Sequence, residues 1–136
     1  MITDKLIERI KQLDNPTVAG IDTSFDYLPE DMKSGVCDFA GAAKAVLAFN
    51  KEIIDSICDI VPCVKVQIAY YEMYGLEGMR TFSETLKYAS EKGMLVMTDA
   101  KRNDIGATAE CYAKAYLGET AVGEKAYTAF DSDFLT

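Results

Sequence analysis

The chain has 136 residues with 22 acidic and 14 basic side chains, a formal charge of -8, and neither histidine nor tryptophan. That balance leaves no basic face for a nucleic-acid backbone, and zero histidine excludes Ser-His and Cys-His catalysis, imidazole acid–base work and His-ligated metal sites. Chemistry here must be carried by Lys, Asp, Glu, Tyr or Cys.

Leu6, Ile7, Ile10 and Leu13 recur at helical spacing with charged residues opposite them, so the first thirteen residues read as an amphipathic helix and not as a secretory segment. Asn15-Pro16 ends it. Thr17 to Asp22 is a short apolar run that finishes in a carboxylate and fits a strand buried on both faces. A polar loop from Thr23 to Gly35 precedes a long helix from Phe39 to Ile60, whose apolar stripe is Val46, Leu47, Phe49, Ile53, Ile54 and Ile57.

Pro62 stops that helix, and Cys63 to Ile68 restarts an apolar strand with Lys65 in its middle. Burying an unpaired ammonium is costly, so Lys65 demands a partner. Gly75 and Gly78 read as shaping the turn into a helix from about Gly78 to Lys92, capped by Gly93. Tyr70, Tyr71 and Tyr74 read as packing residues. Met94 to Asp99 is a third strand, Thr108 to Leu117 a helix, and Asp133 to Thr136 the start of a fourth strand. Strands alternating with amphipathic helices imply parallel pairing and an α/β fold.

Cys37, Cys58, Cys63 and Cys111 form no CxxC pair and read as reduced thiols of a cytoplasmic protein, with Cys63 in the core. No run approaches the length of a membrane span.

Ligand sites of α/β folds lie at the carboxyl ends of parallel strands, and there stand Asp22, Lys65 and the cluster Asp99-Ala100-Lys101-Arg102-Asn103-Asp104. Asp99 and Lys101, two apart on an extended segment, leave the same face. Alternating lysines and aspartates hold each other ionised.

The segment Asp99-Ala100-Lys101-Arg102-Asn103-Asp104-Ile105-Gly106 resembles the D-x-K-x-x-D-I signature of the orotidine 5′-phosphate decarboxylases. Ala19-Gly20-Ile21-Asp22 resembles that family's first-strand aspartate motif, and Val64-Lys65-Val66-Gln67-Ile68-Ala69-Tyr70-Tyr71-Glu72 the second-strand lysine segment of its longer bacterial branch. The three motifs stand in the family's order and span most of the chain.

The resemblance implies the N-terminal half of a (β/α)8 TIM barrel that converts orotidine 5′-phosphate to uridine 5′-phosphate in de novo pyrimidine synthesis, without metal or cofactor. It implies a catalytic Lys65, Asp99, Lys101, Asp104 array, with Lys101 protonating the pyrimidine C6, Asp99 against the departing carboxylate and Lys65 bridging Asp99 and the ribose. It gives Asp22 a ribose hydroxyl, and it implies a homodimer in which Asp104, Ile105 and Thr108 serve the partner's site. A metal-dependent sugar-phosphate decarboxylase with the same motif would need a carboxylate where Lys65 stands. Residues 1 to 136 are expected to form one incomplete domain ending near the fourth strand, since a whole barrel takes 200 residues or more. The alternative function is a non-catalytic half-barrel that associates through open sheet edges.

Overall fold

The computed structural model describes residues 1–136. Helix α1 (Ile2–Leu13) ends where Asp14 adopts a left-handed conformation at φ 48°. Asn15 then ties the chain down: its amide donates to the Ile60 carbonyl at 2.9 Å, and its side-chain oxygen accepts from the Thr17 N–H at 3.0 Å. Strand β1 (Val18–Ile21) follows. The stretch expected as a plain loop carries a 3-10 turn, Phe25–Tyr27, and a one-turn helix α2 (Glu30–Lys33).

Helix α3 (Phe39–Ile57) starts at Asp38, whose carboxylate accepts the Gly41 N–H at 2.7 Å, as an N-cap should. It stops at Ile57, three residues short of the expected Ile60, in a tight turn where the Ile60 N–H donates to the Ile57 carbonyl. Strand β2 (Cys63–Gln67) leads into a short helix α4 (Ala69–Glu72) and a long one, α5 (Gly75–Glu91). Strand β3 (Leu95–Asp99), helix α6 (Gly106–Leu117), an antiparallel hairpin of β4 (Thr120–Val122) and β5 (Lys125–Tyr127), and β6 (Phe134–Leu135) complete the chain. The hairpin was not legible in the sequence, because its two strands are three residues each and wholly exposed.

Gly75, at φ +60°, makes the α4–α5 turn, as its sequence context predicts. Gly78 does not shape a turn: it lies inside α5, where a Cβ would sit 1.8 Å from the Tyr71 carbonyl oxygen of α4. Its missing side chain is what lets the two helices touch. Gly93, at φ +77°, lies just past the end of α5 and donates to the Ser90 carbonyl.

The four main strands form one parallel sheet in the order β1-β2-β3-β6, so each βα unit places its strand beside the preceding one. This is the winding of a (β/α)8 barrel over its first four strands. One sheet face packs Ile21, Val64, Val66 and Val96 against Val46 and Ile54 of α3 and Phe82, Leu86 and Ala89 of α5. The other face carries Gly20, Lys65, Gln67, Met97 and Asp99, alternating residues of paired strands. It is open to solvent around β1, where Val18 and Gly20 are exposed; the expectation that β1 is buried on both faces is therefore corrected.

No helix is long and apolar enough to cross a membrane, and all four cysteines are unpaired, Cys63 being buried. Tyr71 and Tyr74 are buried and Tyr70 half-buried, and each packs with the core.

Candidate active site at the carboxyl ends of the strands

Period-two alternation decides which groups reach the inner face. In β2, Val64 and Val66 turn towards the helices, which sends Lys65 and Gln67 inward; in β3, Val96 and Thr98 do the same, which sends Asp99 inward. Parallel register then sets Gln67 opposite Asp99 and Lys65 opposite Gly20.

The result is a continuous charged chain across three strands. The Lys65 ammonium donates to Asp22 at 2.9 and 3.2 Å and to Asp99 Oδ2 at 3.4 Å. Lys101 donates to Asp99 Oδ1 at 2.7 Å. Asp99 is thus held between two lysines and is only 14% exposed, whereas Lys101 is 70% exposed, its ammonium accessible to a ligand entering from above the strand ends.

Electrostatics follow the contacts. The hydrogen bond from Lys101 does most to lower the Asp99 pKa; burial opposes it, and the Thr136 hydroxyl and the charges of both lysines add to the lowering. For Lys65, burial favours the neutral amine, but the hydrogen bonds and charges of Asp22 and Asp99 together outweigh it and hold the pKa above 10.5. The ammonium and carboxylate forms stabilise each other across the neutral pH range.

Two members of the site were not foreseen. Gln67 donates its amide to Asp99 Oδ2 at 2.8 Å, and the Thr136 hydroxyl donates to Asp99 Oδ1 at 2.9 Å while accepting the Lys101 N–H at 3.2 Å. Gln67 stands two residues after Lys65, so strand periodicity carried its signal. Thr136 reaches Asp99 only because β6 pairs with β3, a fact no local pattern contains.

Asp22, Lys65, Asp99 and Lys101 are therefore brought together, and the other three predicted residues are not. Asp104 is exposed, forms no ion pair within the chain, and accepts only the neighbouring Ile105 N–H at 2.8 Å. The resemblance assigns Asp104 to a partner's site, and within this chain it stands apart from Asp99 and Lys101, on the exposed segment after Lys101. Ile105, 86% exposed, and Thr108, exposed on the first turn of α6, lie on the same outward segment.

Behind the charged chain lies a neutral buried network. Asn50 of α3, fully buried, accepts from the Thr23 hydroxyl at 2.7 Å and donates to the Tyr71 hydroxyl at 2.9 Å and to Thr85 at 3.2 Å. It fixes the backbone immediately after Asp22 to three helices. No group of three or more acidic or thiol side chains is arranged to hold a metal ion.

Fold and site together define the first half of a (β/α)8 barrel with its charged groups at the carboxyl ends of the strands. Comparison with known proteins makes this specific. Residues 31–130 match the model of the orotidine 5′-phosphate decarboxylase / HUMPS family. The chain is 46% identical over all 136 residues to the orotidine 5′-phosphate decarboxylase of Clostridium perfringens, covering 43% of it, and 44% identical to that of Clostridium kluyveri, covering 42%. Among solved structures it is similar to the Leishmania donovani OMP decarboxylase, at TM-score 0.63 and 27% identity over 83% of this chain and 38% of that one. The Plasmodium berghei orotidine 5′-monophosphate decarboxylase shares the fold at TM-score 0.70 and 17% identity, over 84% of this chain and 48% of the other. The chain belongs to the orotidine 5′-phosphate decarboxylase / HUMPS family. It spans less than half the length of the curated relatives it matches.

Proposed function

We propose that these residues supply the charged array of an orotidine 5′-phosphate decarboxylase, which releases carbon dioxide from orotidine 5′-phosphate to give uridine 5′-phosphate in de novo pyrimidine synthesis. The observation that carries the reading is the unbroken contact chain from Asp22 through Lys65 and Asp99 to Lys101. Family membership supports it, and the Clostridium relatives bear this name.

Heterolysis of the bond between C6 and the carboxylate leaves its electron pair on C6, with no adjacent electron sink. The Lys101 ammonium, aimed at that carbon, stabilises the developing charge and donates the proton that completes uridylate; the amine then regains a proton from solvent. Asp99, fixed between Lys65 and Lys101, stands against the departing carboxylate, where its charge raises the ground state and is relieved as carbon dioxide leaves. Lys65 bridges Asp99 and the ribose, and Asp22 accepts a ribose hydroxyl. Every step uses a side chain of the array, so the reading calls on no metal or cofactor.

Residues 1–136 are on this reading one part of a single barrel domain. A TIM barrel builds its phosphate site from the loops after strands seven and eight, so the phosphate grip is sought outside these residues. The sheet edges at β1 and β6 have no strand on their outer sides, which supports pairing with further barrel strands. The chain alone, without such strands, is then a non-catalytic half-barrel.

The reading also gives Asp104, Ile105 and Thr108 to the site of a partner in a cytoplasmic homodimer. Their exposure supports this, as does the Asp104 carboxylate, which is bonded only to the neighbouring Ile105 N–H. The test is complementation in the assembled barrel, followed by the loss of orotidylate absorbance. Lys101→Ala and Asp104→Ala are each inactive; mixed, they regain about a quarter of wild-type activity, because half the dimers are mixed and each has one intact site. An Asp104→Ala protein of full activity removes the shared site. A wild-type barrel that leaves orotidylate untouched overturns the decarboxylase reading.

A further inference from the structure

Lys101 is one of two non-glycine residues with positive φ, at 53°, in a conformation that L-residues occupy only when their surroundings enforce it. The other, Asp14, closes a helix. Lys101 closes none, so something else must hold it.

The Thr136 hydroxyl accepts the Lys101 N–H at 3.2 Å, and the remaining holding contacts are made by Arg102. Its Nη1 reaches back to the Ala100 carbonyl at 2.9 Å, so the side chain closes a ring around the two peptide units that flank Lys101. Its Nη2 donates to Glu72 Oε1 at 3.0 Å, and the guanidinium lies 5.8 Å from the centre of the Tyr112 ring. Glu72 ends α4, directly after the Lys65 strand, and Tyr112 belongs to α6. On the far side the Arg102 N–H donates to the Thr136 carbonyl at 2.8 Å. The side chain is 27% exposed, shielded enough for these bonds to matter.

We propose that Arg102 is a positioning residue: by stapling the Ala100 carbonyl to Glu72, it holds Lys101 in its left-handed backbone and thereby aims the Lys101 ammonium at Asp99. A guanidinium is required because two separate acceptors must be met from one rigid fork, which a single ammonium on a flexible stem does not reproduce. The kinetic arm of this inference rests on the decarboxylase reading; the arm that follows Lys101 itself does not.

The first arm uses the 136-residue chain and a water-soluble acylating ester, with modification of each lysine followed by mass spectrometry. Lys87, 65% exposed, is the internal standard for Lys101, 70% exposed. Lys101, whose ammonium donates to Asp99 at 2.7 Å, is expected to react about tenfold more slowly than Lys87, whose contact with Glu91 is a loose 3.8 Å. In Arg102→Ala that protection falls to within about threefold, and Arg102→Lys resembles Arg102→Ala. Protection that survives Arg102→Ala, or that is absent in the wild type, overturns the proposal.

The second arm uses the assembled barrel with orotidylate. Arg102→Ala is expected to lower kcat about thirtyfold with KM changed less than threefold, because it misaims a group that acts in the transition state without removing a substrate contact. Added guanidinium ion restores part of the rate. Loss of kcat together with the melting temperature, and without guanidinium rescue, assigns Arg102 to the fold alone and overturns the proposal. If the wild-type barrel does not turn over orotidylate, the decarboxylase reading fails, and the acylation arm still decides the role of Arg102.

Discussion

Gly78→Ala tests how the helices behind the site are joined. A Cβ at Gly78 would stand 1.8 Å from the Tyr71 carbonyl oxygen, 2.8 Å from its carbon and 3.0 Å from the Tyr74 Cβ. Ordinary contact begins near 3.4 Å, so α4 and α5 must separate by about 1.6 Å, and the atoms in the way are backbone. Overpacking against backbone atoms that cannot rotate away stands at the upper end of the usual range, about 3 kcal/mol. Alanine recovers about 1 kcal/mol of helix propensity against glycine. A net loss of about 2 kcal/mol lowers Tm by roughly 8 °C for a domain of this size. The displaced residue is Tyr71, whose hydroxyl holds Asn50, so the disturbance travels to Thr23 beside Asp22. Urea and thermal unfolding by circular dichroism measure it, with Gly118→Ala as control, since a Cβ there meets nothing closer than 3.6 Å. A Gly78→Ala chain as stable as the wild type would refute the reasoning.

Asn50→Leu removes three buried hydrogen bonds and leaves three hydroxyls to repartner, and it is expected to cost about 3 kcal/mol in urea unfolding, more than an exposed substitution such as Lys87→Leu. Asp99 contributes stability that is present above 3.8 and lost as pH falls through its lower folded pKa; Lys101→Ala removes the largest cause of that lowering, so the Asp99 carboxyl carbon titrates at higher pH in ¹³C NMR. Lys65 works in the opposite sense, stabilising fully below 10.5 and less as pH rises through its higher folded pKa, so Lys65→Met flattens the alkaline limb of the stability curve. Burial pushes the Cys63 thiol up to about 11, so iodoacetamide at pH 8 modifies the exposed Cys37 and Cys111 and spares Cys63 in the folded chain.

Much of this architecture is legible in the sequence. Alternating strands and helices are written in hydrophobic period, and the strand bounds at Cys63 and Asp99 follow Pro62 and the charged cluster closely. Lys65 announced itself as a cation in an apolar strand that needed partners, and Asp22 and Asp99 are those partners. What stayed hidden depends on distance through space. The role of Gly78 is invisible without Tyr71 beside it, and Thr136 belongs to the site only through the pairing of β6 with β3. Asp104 is expected from its motif to serve a partner's site, and the chain alone shows only that it is exposed beyond the positive-φ turn at Lys101.

The central claim is that the array acts on a pyrimidine carboxylate, and turnover of orotidylate by the assembled barrel measures it most directly. The wild type is expected to release carbon dioxide and form uridylate; Lys101→Ala and Asp99→Asn are expected to lower kcat by at least about a thousandfold. An assembled barrel in which Lys101→Ala decarboxylates at the wild-type rate would contradict the account.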